Sequence, residues 1–189
     1  MVEPPGVTDV APLAQPEDRS ALSDRALHWD NGFGIDAGRL NAGNMTGTYG
    51  FHGVFGPRIN RFSLLAELDL AETHAADNST MGTYERVAIE PRVAIWRGRA
   101  HSVFGMNELS RVELWVEPGL GYELASQQLM PSISRKDASL TFGFARSWHY
   151  TDHSFGSYFA VRGMEADPLP GEHRRDYSVL FTSGLVFGR

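Results

Sequence analysis

The chain has no cysteine and a single lysine, Lys136, among 189 residues. Without cysteine there are no disulfides, thiolate zinc sites or cysteine nucleophiles. Arginine therefore carries nearly all the basic charge, and its planar fork suits buried, bidentate ion pairs. Basic charge is also in deficit: 17 basic against 23 acidic residues leave a net charge of −6. Nucleic acid, which needs a basic surface, is not an expected partner. No stretch approaches the roughly 18 consecutive apolar residues of a spanning helix. A β-barrel span survives that absence, because only alternate residues of its strands need be apolar. The opening residues, MVEPPGVTD, lack the basic and apolar stretches of a secretory leader. A location outside the inner membrane then requires that a leader has been removed, with an initiator Met in its place.

Hydrophobic residues make up 42% of the chain and aromatics 11%, enough for a folded domain of this length. Pro4, Pro5, Pro12 and Pro16 crowd the first part of the chain, so residues 1–28 read as a flexible tail with a short helix over 20–28. From Trp29 onward the pattern has period two. It predicts eight strands, at 29–41, 47–56, 62–71, 84–97, 111–124, 138–150, 155–164 and 177–188. The connections fall at 42–46, 57–61, 72–83, 98–110, 125–137, 151–154 and 165–176. Those at 72–83, 125–137 and 165–176 are long enough to bind a partner. Pro91 and Pro118 fall mid-strand, where each predicts a bulge.

The stretch YERVAIEPRVAIW sets Val87, Ile89, Val93 and Ile95 against Arg86, Glu90 and Arg92. Which of these faces looks inward decides between a soluble and a membrane barrel. The polar face elsewhere is rich in Gly, Ala, Ser and Thr, as a narrow interior requires. It also carries both charge signs on neighbouring strands: Asp36, Glu67, Asp69, Glu90, Glu113 and Glu117 against Arg86, Arg92 and Arg162, with Arg58 at a strand end. Enclosed charges must pair, since an unpaired buried charge costs several kcal/mol. Trp29, Tyr49, Tyr122, Trp148, Tyr150 and Tyr177 lie on the apolar face near strand ends, where interfacial girdles sit. The reading is an all-β, eight-stranded antiparallel up-and-down barrel over 29–189, with its apolar face toward lipid and an interior network of those nine charged residues.

Residues 29–189, with the alternating last strand Tyr177-x-Val179-x-Phe181 running to Phe187, resemble the small outer-membrane β-barrel class. The transmembrane domain of outer-membrane protein A is one example. The resemblance implies a bacterial outer-membrane location, lipid as surroundings and function in the loops or in a structural role.

Two alternatives stay open. His149-Tyr150-Thr151 is similar to the His-x-Ser segment of the outer-membrane lipid A deacylases. That likeness implies a lipid hydrolase with His149 as base and Thr151 in the serine position, Ser154 being a neighbouring hydroxyl. The other is a soluble, lipocalin-like barrel carrying an apolar ligand against Leu68, Val93, Phe142 and Phe144. The seven histidines form no metal-ligand spacing, and no metal or other cofactor is expected.

Overall fold

The structure is a computed structural model that describes residues 27–40, 45–75, 81–100, 110–127, 130–149, 154–168, 171, 173 and 175–188. Eight strands follow in chain order: β1 (Leu27–Arg39), β2 (Met45–Ile59), β3 (Phe62–Ala75), β4 (Met81–Ala100), β5 (Ser110–Gln127), β6 (Met130–His149), β7 (Ser154–Ala166) and β8 (Asp176–Gly188). Each pairs antiparallel with its sequence neighbour, and β8 closes onto β1, so the sheet is a closed barrel. Closure leaves no unpaired edge.

The alternation sorts side chains as the charge argument requires. Phe33, Ile35, Phe51, Leu68, Ile89, Leu120, Phe142 and Phe181 stand exposed on the outer surface. Asp36, Glu67, Arg86, Glu117, Thr141 and Arg162 are buried inside. Tyr49, Tyr122 and Tyr177 lie outward toward one end of the barrel, and Trp29 and Trp96 lie outward toward the other. Such belts mark the two interfaces of a bilayer. Leu68, Val93, Phe142 and Phe144 all point outward, so they line no internal pocket and the lipocalin-like arrangement is corrected.

Several expected boundaries move. Strands run from 13 to 20 residues, beyond the roughly 9–11 that cross the hydrocarbon. Leu27 and His28 already belong to β1, so no helix reaches residue 28. The rest of the expected tail, with its helix, lies outside the described residues. The 125–137 connection is mostly strand: β5 and β6 pair up to Gln127↔Met130. The reason is that Arg135 and Asp137 continue the inward alternation of Ser139 and Thr141. The 72–83 connection shrinks to 76–80 and the 165–176 connection to 167–175. The two-residue turn between β2 and β3 places Asn60 at φ 54, a left-handed conformation that asparagine tolerates.

The expected bulges at Pro91 and Pro118 are absent. Register shifts fall instead between Met45/Gly47, Ala94/Trp96 and Ala125/Gln127. The pairs Ile89↔Leu120 and Val93↔Val116 bracket the prolines with equal numbers of residues on each strand, so Pro91 faces Pro118. The Ala94 N–H donates to Arg61 O, toward β3. Alternation then turns the Pro91 nitrogen toward β5, and the Pro118 nitrogen toward β4. Both missing donors thus fall in one seam, where no rungs form between Ile89↔Leu120 and Val93↔Val116. Arg92, directly inside the gap, pairs with Glu117 on the opposite strand. Hydrogen exchange in detergent micelles should show the Ile89, Val93, Val116 and Leu120 amides exchanging faster than Leu68 and Leu70 of the adjoining β3. Equal protection at the two places would contradict this account of the seam.

Candidate functional site

The interior is the most chemically loaded part of the molecule. Two arginines organise its centre. Arg86 on β4 donates from Nη2 to Asp137 Oδ1 at 2.8 Å and to Ser139 Oγ at 2.9 Å. Its Nη1 donates to Glu67 Oε1 at 3.1 Å and to Glu90 Oε1 at 3.2 Å. One guanidinium thereby ties together β3, β4 and β6. Arg162 on β7 donates from Nη1 to Asp69 Oδ2 at 2.7 Å, pairs through Nη2 with Glu67, and reaches Thr141 on β6. Glu67 Oε1 is shared by both arginines.

Two apolar layers bracket this centre. Toward the loop end lie Leu40, Tyr84, Ala125, Met164 and Leu180. Toward the chain termini lie Trp115, Tyr158 and Ala160, with Ala145 and Val186 packed against them. On β7 Arg162 sits between Met164 and Ala160, and on β8 Thr182 sits between Leu180 and Val186. The central charges therefore lie between the two apolar layers.

Further ion pairs continue from this centre toward each end of the barrel. At the terminal end Arg92 pairs with Glu117 and lies 4.0 Å over the Trp115 ring. Beside it Glu113 Oε1 is 2.6 Å from both Arg58 Nη2 and Arg97 Nε, and Arg58 also reaches Asp30. At the loop end Arg135 pairs with Glu123, and its Nη1 is 2.5 Å from Asp176 Oδ2. The Tyr84 hydroxyl donates to Glu123 Oε2 at 3.2 Å.

Small residues make room for these groups. A Cβ built on Gly121 would stand 2.5 Å from Asp137 Oδ2 and 2.8 Å from Arg86 Nε. One on Gly143 would strike the Trp115 ring. The glycines are the wall against which the long side chains lie.

All nine expected network residues face inward: Asp36, Glu67, Asp69, Arg86, Glu90, Glu113, Glu117 and Arg162 are buried, and the Arg92 side chain is only 11% exposed. They divide into the central group and the terminal-end pairs. Sequence reasoning missed His52, Glu123, Arg135 and Asp137. Period two carried through 125–137 would have found the last two, and His52 sits among the glycines of β2 where no charge pattern draws the eye. Of the hydrolase candidates, His149 and Ser154 are paired across the last rung of β6–β7, and Thr151 lies outside the described residues.

No family model matches the chain, and no curated protein matches it. Solved structures do. Neisserial surface protein A is similar with a TM-score of 0.52 at 10% identity, over 86% of this chain and 95% of that one. Ail, the attachment invasion locus protein of Yersinia pestis, is similar with a TM-score of 0.42 at 13% identity, over 86% of this chain and 98% of that one. The chain has the fold of the small eight-stranded outer-membrane barrels. At such identities the likeness is one of fold, and nothing about ligands follows from it.

Removing one partner from a buried network leaves an uncompensated charge. Arg86→Met and Arg162→Met should each lower unfolding stability by about 3–5 kcal/mol, read from urea titrations in lipid vesicles. Glu165→Gln, which removes the exposed pair with Arg175, should change it by less than about 0.5 kcal/mol. Equal effects from the buried and exposed sites would contradict the network.

Proposed function

We propose that this chain is a non-conducting outer-membrane barrel whose partners are met outside the sheet, at its connections. The observation that carries the reading is the inversion of the two faces: aromatic and aliphatic side chains outward, paired charges inward. Monomeric soluble proteins rarely expose contiguous apolar surface on this scale, and lipid is its natural covering. An eight-stranded barrel has an interior that side chains alone can fill, and here the Arg86 and Arg162 networks with the two apolar layers occupy it. Solute passage would require several buried ion pairs to part together. Function therefore belongs to the rims. The connections 40–44, 76–80 and 167–175 and the β5–β6 hairpin are the segments at the end away from the termini. On its β7 side that hairpin extends past Asp137↔Ala166, the last β6–β7 pair, while β5 stays paired with β4 up to Gly82↔Gln127.

A hydrolase resting on His149 and Thr151 is the second reading, favoured only by the juxtaposition of His149 with Ser154. His149→Ala with unchanged turnover of lipid A or a generic ester would remove it.

The test of the first reading is electrical. In planar bilayers the folded chain should give no lasting conductance steps, even at high salt. Stable, repeated steps from folded protein would overturn the non-conducting reading.

A further inference from the structure

The centre of the barrel holds more negative charge than its arginines can balance. Seven buried carboxylates face it or border it: Asp36, Glu67, Asp69, Glu90, Glu117, Glu123 and Asp137. Four guanidiniums answer them: Arg86, Arg92, Arg135 and Arg162. With every carboxylate ionised and His52 neutral, three negative charges remain between the two layers of apolar side chains. Uncompensated ions in such surroundings cost several kcal/mol each, so a cation or protons must accompany them.

The geometry points to a place for one cation. We propose that the barrel centre binds a single divalent metal ion through Asp36, His52 and Asp69. These residues come from β1, β2 and β3, and one ligand atom of each lies within 4.8 Å of the others. His52 Nδ1 is 2.7 Å from Asp69 Oδ1 and 3.8 Å from Asp36 Oδ2. Donor atoms that each sit about 2 Å from a common ion stand roughly 3–3.5 Å apart, so the ion enters as His52 Nδ1 exchanges its contacts with Asp69 and with Arg162 Nη2, 3.5 Å away, for the metal. Their second atoms are already anchored: Asp36 Oδ1 accepts from the Thr182 hydroxyl, and Asp69 Oδ2 accepts from Arg162 at 2.7 Å. Pre-oriented ligands of this kind are what a metal site needs around its first ring of donors.

Two observations independent of the charge count point into the same spot. Asp36 Oδ2, the oxygen nearest His52, has no hydrogen-bond partner. The Tyr158 hydroxyl, on a side chain 5% exposed, has none either. That hydroxyl lies 2.9 Å from where a Gly34 Cβ would be, and Gly34 is the cross-strand partner of His52. The Tyr158 ring is 6.1 Å from the His52 ring. A buried acceptor and a buried hydroxyl without partners beside an imidazole are groups that an ion or its bound water would satisfy. Two carboxylates and one imidazole suit a borderline ion such as Mn²⁺ or Zn²⁺. One such ion reduces the excess charge from three to one. The ligands are 16 or 17 residues apart in sequence, so no spacing motif announces them.

The test is to fold the full chain in detergent micelles with Mn²⁺, with Zn²⁺, or with EDTA, remove loose metal by gel filtration, and count metal per chain. The expected result is one ion per chain for Mn²⁺ or Zn²⁺ and a higher midpoint for loss of the folded gel band than in EDTA. His52→Gln and Asp36→Asn should abolish retention, whereas Glu165→Gln should keep it. Metal-free wild-type protein with the same midpoint in all three conditions would overturn the proposal, leaving protons as the balancing charge. Full retention by His52→Gln would equally overturn the assigned ligands.

Discussion

Two guanidiniums, Arg86 and Arg162, hold the centre of this barrel, and the rest of the architecture follows from the need to keep them paired. Inside a closed sheet there is little water to share the solvation of a charge, so each arginine must find its partners among side chains of other strands. That requirement constrains register, because a slip of one residue would turn the whole inward set to the outer face. It also explains the inner wall. Ser139 and Thr141 supply hydroxyls at hydrogen-bond distance, while Gly119 and Gly121 leave space where any Cβ would collide with Glu90, Asp137 or Arg86.

The outer face obeys the opposite condition. Backbone groups are satisfied within the sheet, and the side chains there need only be apolar, with aromatics at the two ends. The β4–β5 seam is one exception, because the opposed Pro91 and Pro118 remove both donors at one level. Placing the prolines opposite each other confines the loss to a single seam and leaves the β3–β4 and β5–β6 ladders intact through the same level. The Arg92–Glu117 pair crosses that gap from the inside, so the interior network also closes the sheet where the ladder does not.

Much of this was legible in the sequence, because period-two alternation encodes side-chain direction directly. Strand number follows from it, and the mixed charges on one of its two faces pick out the inward set from Asp36 to Arg162. Boundaries were less legible. Residues 125–137 contain Ser, Gln, Pro and Lys, which resemble loop composition, yet Arg135 and Asp137 face inward and β6 continues through them. The opposed prolines were visible singly, but their pairing depends on register, which a lone strand does not reveal. The Asp36, His52 and Asp69 cluster was illegible for the same reason, since its members meet only across two strand pairings. Which inward charges pair, and through which atoms, is likewise a property of the closed barrel.

The direction of the apolar face underlies every other conclusion, and detergent dependence of folding tests it most directly. The chain should refold from denaturant to a β-rich circular dichroism spectrum, with a heat-dependent shift in gel mobility, only when micelles are present. A stable β-rich monomer in plain buffer, with no such shift, would mean that Val87, Ile89, Val93 and their counterparts line an interior, and would contradict the account.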